Sequence, residues 1–324
     1  MKDLLKKSNI AWVFISLITF ISVWVLINVG ILNAYYEITL ATIMINIILA
    51  VSLNLIIGIT GQFSLGHAGF MGIGAYVTAI VLREIPNYGG LMLGIVLGIL
   101  ISAVFGLIIA IPTLRLRGDY LAIATLGFSE IIRILILNLK ITNGASGILG
   151  IIKLVNWPVL FIGLVFTLVV VTNLIRSSYG RACISVREDE IAADAMGINT
   201  TKTKVMAFVI GASLASIAGA FYASYFFVVK PESFGFAKSI DILVMVVFGG
   251  MGSITGSILA AVGLGLINMV LQSFAEFRMI FYAILLVVIM IFRPQGLLGT
   301  KEFSLRLFDK TKKKKENDDE AVGN

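Results

Sequence analysis

The sequence predicts an all-α fold, a polytopic transmembrane helix bundle of about ten spans. Three observations carry that expectation. Hydrophobic residues make up 59% of the 324 and charged residues only 13%. With a mean hydropathy of +1.02, this lies far outside the range of a soluble domain. Apolar runs of about 20 residues recur from end to end, each long enough to cross a hydrocarbon core of ~30 Å as a helix. The runs are also continuous, as in TLATIMINIILAVSLNLII (39–57), where a membrane barrel needs alternation.

Taken in order, the runs place spans near 10–32, 38–57, 63–82, 90–112, 119–138, 157–175, 205–229, 239–252, 254–274 and 278–292. The first follows Lys2, Lys6 and Lys7 but is too long for a signal peptide and lacks a small-residue cleavage site, so it reads as an uncleaved span. With both termini cytoplasmic, that side collects 18 Lys and Arg and the outer side six, with Arg133 inside the membrane. This is the asymmetry expected of a multi-pass membrane protein with cytoplasmic termini. A net charge of +7 is therefore no sign of nucleic acid. Residues 1–300 form the expected transmembrane domain, with a cytoplasmic loop at 176–204. Residues 301–324 form a charged cytoplasmic tail beside anionic lipid, with the composition of a disordered segment.

Two glycine-rich breaks interrupt this pattern. One is GITGQ (58–62), which opens the stretch GITGQFSLGHAGFMGIGAY; the other is FGGMGSITG (248–256). In a five-plus-five division of the chain they occupy comparable places, as in an internal repeat whose Gly-interrupted helices line a path. Glycines that let helices pack closely give the same composition. Path or helix-packing candidates are Gly61, Gln62, Ser64, Gly66, His67 and Gly69 in the first half, and Gly249, Gly250, Gly252 and Gly256 in the second.

The loop at 176–204 is organised. Arg187 to Met196 reads as a short amphipathic helix, with Glu188, Asp189 and Glu190 in its first turn and Gly197 where a helix ends. Ile191 with Ala195 and Ala192 with Met196 are four apart and form an apolar knob. Such a helix either packs on the protein's own cytoplasmic face or docks into the groove of a soluble partner. The chain contains no G-x-x-x-x-G-K-[ST], so an ATP-driven process needs a motor on another polypeptide.

Six blocks together carry a resemblance: GQFSLGHAGFMGIGAY (61–76), RGDYLAIATLGFSEIIR (117–133), ITNGASGI (141–148), VREDEIAADAMGIN (186–199), ILVMVVFGGMGSITG (242–256) and FRPQGLLG (292–299). The chain resembles the permease subunits of branched-chain amino-acid ABC importers, nearest to the M-type member of the paired permeases. The resemblance implies an H-type permease partner, two cytoplasmic ATPase subunits and an extracytoplasmic binding protein that delivers leucine, isoleucine or valine. It also implies that the loop containing Arg187, Glu188, Ile191, Ala192, Ala195, Met196 and Gly197 docks in the ATPase. Urea and amide importers use similar permeases, so the blocks fix the machine better than its cargo.

Remaining polar residues have two readings each. Glu130 and Arg133, three apart, form an intramembrane ion pair that either borders the path and locks helices together or lies near the outer interface. Asn46 and Asn54, eight apart, share one face and either hydrogen-bond a neighbouring helix or contact cargo. The single histidine, His67, is a helix-packing residue or, in an ion-coupled secondary transporter, a proton relay. One cysteine and one histidine leave no usual ligand set for a metal or haem, and no cofactor is expected. No activated nucleophile or paired acids suggest an enzyme.

Overall fold

The computed structural model describes residues 7–30, 32–113, 116, 118–271, 284, 287 and 296–299. Almost all of the span expected at 278–292, and the tail at 301–324, lie outside these. The chain divides into two units, residues 1–37 with 302–324, and residues 38–301. In the first, helix α1 covers Lys7–Asn28. The second contains most of α2 (Ala34–Asn54) and the rest of the bundle: α3 (His67–Glu84), α4 (Tyr88–Thr113), α5 (Asp119–Asn138), α6 (Trp157–Arg176), α7 (Ser178–Glu188), α8 (Glu190–Ala195), α9 (Thr200–Phe226), α10 (Phe236–Gly249) and α11 (Ile254–Leu271). Helices thus occupy each of the first nine apolar segments. Five of them, α2 with its extension to Ile59, α4, α5, α6 and α9, are long and apolar enough to cross a membrane.

The burial pattern explains which helices face lipid. In α6 only Leu160, Gly163, Thr167 and Val171 are buried, one stripe at helical spacing. In α4 the buried stripe includes Gly90, Gly94, Gly98, Ser102 and Gly106, while large residues such as Met92, Leu100 and Ile108 point outward. Small residues inside and large ones outside is the arrangement expected where lipid replaces water and helices gain by close approach. By contrast α2 is buried on every side from Ile43 onward. Helix α3, rich in Gly and Ala, is buried on most of its surface.

Glycines set the spacing at the centre. A Cβ on Gly74 of α3 would meet the Ser216 carbonyl oxygen of α9 at 2.0 Å, and one on Gly219 would meet that of Met71 at 1.9 Å. Backbones this close admit no side chain, so α3 and α9 are in main-chain contact. At one end of the bundle, β1 (Ile148–Leu149) pairs antiparallel with β2 (Val228–Val229), with Ile148 opposite Val229. Tyr76 donates to the Val229 carbonyl at 3.2 Å, tying α3 to this cap.

Helix α10, with 14 residues, occupies most of the segment expected as a span at 239–252. One sequence expectation needs correction. The single loop helix expected over 187–196 is two helices, because Asp189 leaves the helical conformation and its carboxylate caps α8 by accepting from the N–H groups of Ile191 and Ala192 at 2.9 and 3.0 Å.

Candidate functional site: the glycine junctions and the helical loop

The first junction begins where α2 passes into a π-helical segment, Leu55–Ile59. Gly61, at φ +71°, then ends the helix. Its N–H bonds Ile57 O at 3.2 Å, and that of Gln62 bonds Ile56 O at 3.1 Å. Both bonds bypass the Gly58 carbonyl, one of the acceptors that a helix C-terminus leaves without a partner. Arg187, from the last turn of α7, supplies one: its Nη1 donates to Gly58 O at 2.7 Å. A cation is the favoured partner at a helix C-terminus.

The second junction, 250–253 between α10 and α11, lies directly against the first. A Cβ on Gly58 would be 1.9 Å from Asn54 Oδ1 and 2.2 Å from Gly252 N. Asn54 joins the two: its Oδ1 accepts from Gly252 N–H at 2.8 Å, and its Nδ2 donates to Ser253 O at 2.8 Å and Ser257 Oγ at 2.9 Å. Ser253 caps α11 by accepting from Gly256 N–H at 3.0 Å. Gly249 and Gly256 back onto each other, since a Cβ on either would lie within 2.4 Å of the other's carbonyl oxygen. The end of α10 is closed by the segment at 296–299, where Leu297 N–H bonds Phe248 O at 2.9 Å and Leu298 N–H bonds Gly249 O at 3.3 Å.

Of the remaining candidates, Gln62, Ser64, Gly66, His67 and Gly69 are all buried, His67 to 1% exposure. His67 Nε2 is 2.7 Å from Ser52 Oγ. Ser52 Oγ is also 3.0 Å from Leu49 O, so it links the His67 ring to the α2 backbone. Gly66 and Gly69 admit α5: a Cβ on them would lie 2.6 Å from Thr125 O and 2.8 Å from Ser129 Oγ. Gln62 Nε2 donates to Thr60 Oγ1 at 3.0 Å and to Lys204 O at 3.2 Å, while its Oε1 is buried without a partner. Away from this cluster, Arg133 Nε pairs with Glu130 Oε2 at 2.6 Å, both part-exposed, beside Gly235 at the start of α10.

The loop candidates separate into two groups. Arg187 turns inward to Gly58, and Glu188 accepts from its Nε at 3.1 Å. Ile191 and Met196 point outward, 74% and 83% exposed, with Ala192, Ala195 and Gly197 exposed around them. Helix α8 is held by its Asp189 cap, by buried Ala193 and by an ion pair of Glu190 with Lys204 at 2.7 Å. Helix α7 is seated by Cys183, which packs with Leu55, Ile59 and Ala207, and by Tyr179, whose hydroxyl donates to Thr203 O at 2.5 Å. Burial pushes the Tyr179 hydroxyl up and the Cys183 thiol up to about 11.

Sequence reasoning missed the inward course of Arg187, the role of Ser253 as cap and the closure of α10 by 296–299. Its one available signal was Asn54 placed one helical turn before Gly58.

A bundle with one buried stripe on each outer helix, main-chain contact at its centre and five helices long and apolar enough to cross a membrane is that of a polytopic membrane protein. Residues 35–292 match the family described as branched-chain amino acid transport system / permease component. The chain belongs to that family and is a LivM-like permease. It is 40% identical over 300 residues to the high-affinity branched-chain amino acid transport system permease protein LivM of Salmonella typhimurium, covering 82% of this chain and 70% of the relative. Identity to LivM of Escherichia coli is also 40%, over 301 residues and the same shares. LivH of Escherichia coli is 26% identical over 286 residues, covering 79% of this chain and 91% of that protein. No solved structure matches this chain.

Proposed function

We propose that this chain is the membrane-spanning permease subunit of an ATP-driven importer of leucine, isoleucine and valine. It forms the translocation path with a related H-type permease, is supplied by an extracytoplasmic binding protein and is driven by two separate ATPase subunits. In this reading the chain crosses the membrane about ten times with both termini cytoplasmic. Residues 1–300 form the permease domain, 301–324 a charged tail, and the two glycine junctions are equivalent points of a five-plus-five repeat. Relatedness to both LivM and LivH supports the paired arrangement.

The observation that carries the coupling is α8. Leaving Ile191 and Met196 more than two-thirds exposed on and just after a helix anchored at its N-terminal end by the Asp189 cap and the Glu190–Lys204 pair has no folding benefit. It suits an apolar knob entering a partner's groove. The intramembrane pair Glu130 and Arg133 serves helix packing beside α10 in this scheme, and Gly61, Gln62, Ser64, Gly66, His67 and Gly69 serve packing and gating around the first junction.

The test replaces Ile191 and Ala195 with Glu and Arg. Both are exposed, so the permease is expected to accumulate normally while the ATPase subunits no longer co-purify and leucine uptake falls at least tenfold. Normal co-purification and uptake would remove the docking assignment. Competition of uptake by leucine, urea and sugars identifies the cargo, and uptake by this chain alone on an ion gradient without ATP would replace the whole reading.

A further inference from the structure

We propose that Arg187 is the strut that carries movement of the docking helix into the transmembrane bundle, its guanidinium holding the Gly58 carbonyl where the two glycine junctions meet. The proposal rests on the docking reading above but is read out separately from it.

Three glycines surround this one side chain. A Cβ on Gly61 would be 3.1 Å from Arg187 Cγ, and one on Gly252 would be 3.0 Å from Arg187 Nη1. Gly58 provides the carbonyl acceptor at 2.7 Å. Left-handed backbone at Gly61 (φ +71°) and Gly252 (φ +97°) already asks for glycine. Gly58 lies within the helical segment, so its missing Cβ is dictated by space alone: the Asn54 amide and the Gly252 main chain fill it. The arginine therefore runs along Gly61 and ends where Gly58 and Gly252 touch.

The connections form a continuous chain. Ile191 sits on α8 and Met196 follows its last residue; the α8 cap is Asp189; next in sequence are Glu188 and Arg187, joined through the guanidinium. Arg187 holds Gly58, and Asn54, one turn earlier, holds Gly252, Ser253 and Ser257 at the head of α11. Against the first junction the other contacts of α7 are apolar and non-directional, through Cys183 to Leu55 and Ile59, while Tyr179 holds α7 to Thr203 O of α9. A charge-assisted bond to a helix-end carbonyl is directional and strong. It ties displacement of α7 to the junction itself. The unpartnered Gln62 Oε1, buried in the same turn, marks a place where bonding is incomplete in this arrangement.

The experiment uses the complete importer, both permeases with ATPase subunits and binding protein, in proteoliposomes, and measures leucine uptake and ATP turnover separately. In Arg187→Met the ATPase subunits are expected to co-purify as before, while leucine taken up per ATP hydrolysed falls roughly tenfold. Arg187→Lys keeps a charged donor on a stem of similar length and is expected to restore at least about half of that ratio. An unchanged ratio in Arg187→Met overturns the proposal. Loss of the ATPase subunits also overturns it, because Arg187 then belongs to the docking surface. If Arg187→Met does not accumulate, Glu188→Gln decides: a lowered ratio supports the strut and a normal one refutes it. Failure of the docking reading appears instead as retained ATPase in the Ile191 and Ala195 variants.

Discussion

The two glycine junctions solve one problem in different ways. Each ends a helix inside a crowded bundle, and each leaves helix-end carbonyls to be satisfied. At the second, Phe248 O and Gly249 O take main-chain N–H groups from Leu297 and Leu298. At the first, the Gly58 carbonyl takes a long cationic side chain from a surface helix 129 residues further along the chain. Both caps come from distant segments, but the second is main chain on both sides. The first rests on a single side chain from a loop helix, so the first junction is the one suited to respond to the loop.

The largest expected effect breaks the contact between the junctions. In Gly58→Ala the new methyl meets Asn54 Oδ1 and Gly252 N, at 1.9 and 2.2 Å, and the second is main chain that cannot swing aside. The cost is about 3 kcal/mol, visible as a sharp loss of folded permease after detergent extraction. Gly263→Ala in α11 meets nothing within 4 Å and is expected to stay within ~0.5 kcal/mol of the parent. Equal losses in both variants would mean that glycine content, and not the Gly58–Gly252 contact, matters. Next in size is Asn54→Ala, which strips partners from Gly252 N–H and Ser257. Unfolding free energy in a denaturant series is expected to drop by ~2 kcal/mol; an unchanged value would show that the junctions are joined by packing alone.

Much of this fold was legible because lipid imposes a coarse rule. Long apolar runs marked the segments occupied by α1 to α6, α9 and α11, and the glycine clusters marked both junctions. What hydropathy could not show was which distant group satisfies which carbonyl. Arg187 stood among acids in a loop and read as part of an outward helix surface. The helix it belongs to, α7, ends before Asp189, where a local side-chain cap starts a separate helix and outweighs the helix propensity of the surrounding residues. Likewise FRPQGLLG was recognisable as a block, yet nothing in its composition disclosed that Leu297 and Leu298 close α10. The apolar knob of α8 was legible from spacing alone, because exposed loop helices are governed by local rules.

The smallest expected effect probes whether α7 is seated on the first junction. Cys183 lies one turn before Arg187 and is fully buried against Leu55, Ile59 and Ala207. Burial disfavours its thiolate and raises the pKa from 9.0 to about 11. In the unfolded chain the thiol ionises first, so its contribution to stability is complete below pH 9 and is lost as pH rises through about 11. The thiolate is also the reactive form. Native permease at pH 8 is therefore expected to take up maleimide at less than about a tenth of the rate of the detergent-denatured chain. Rapid native labelling at pH 8 would mean that α7 lifts freely from Leu55 and Ile59, leaving the first junction no more dependent on the loop than the second.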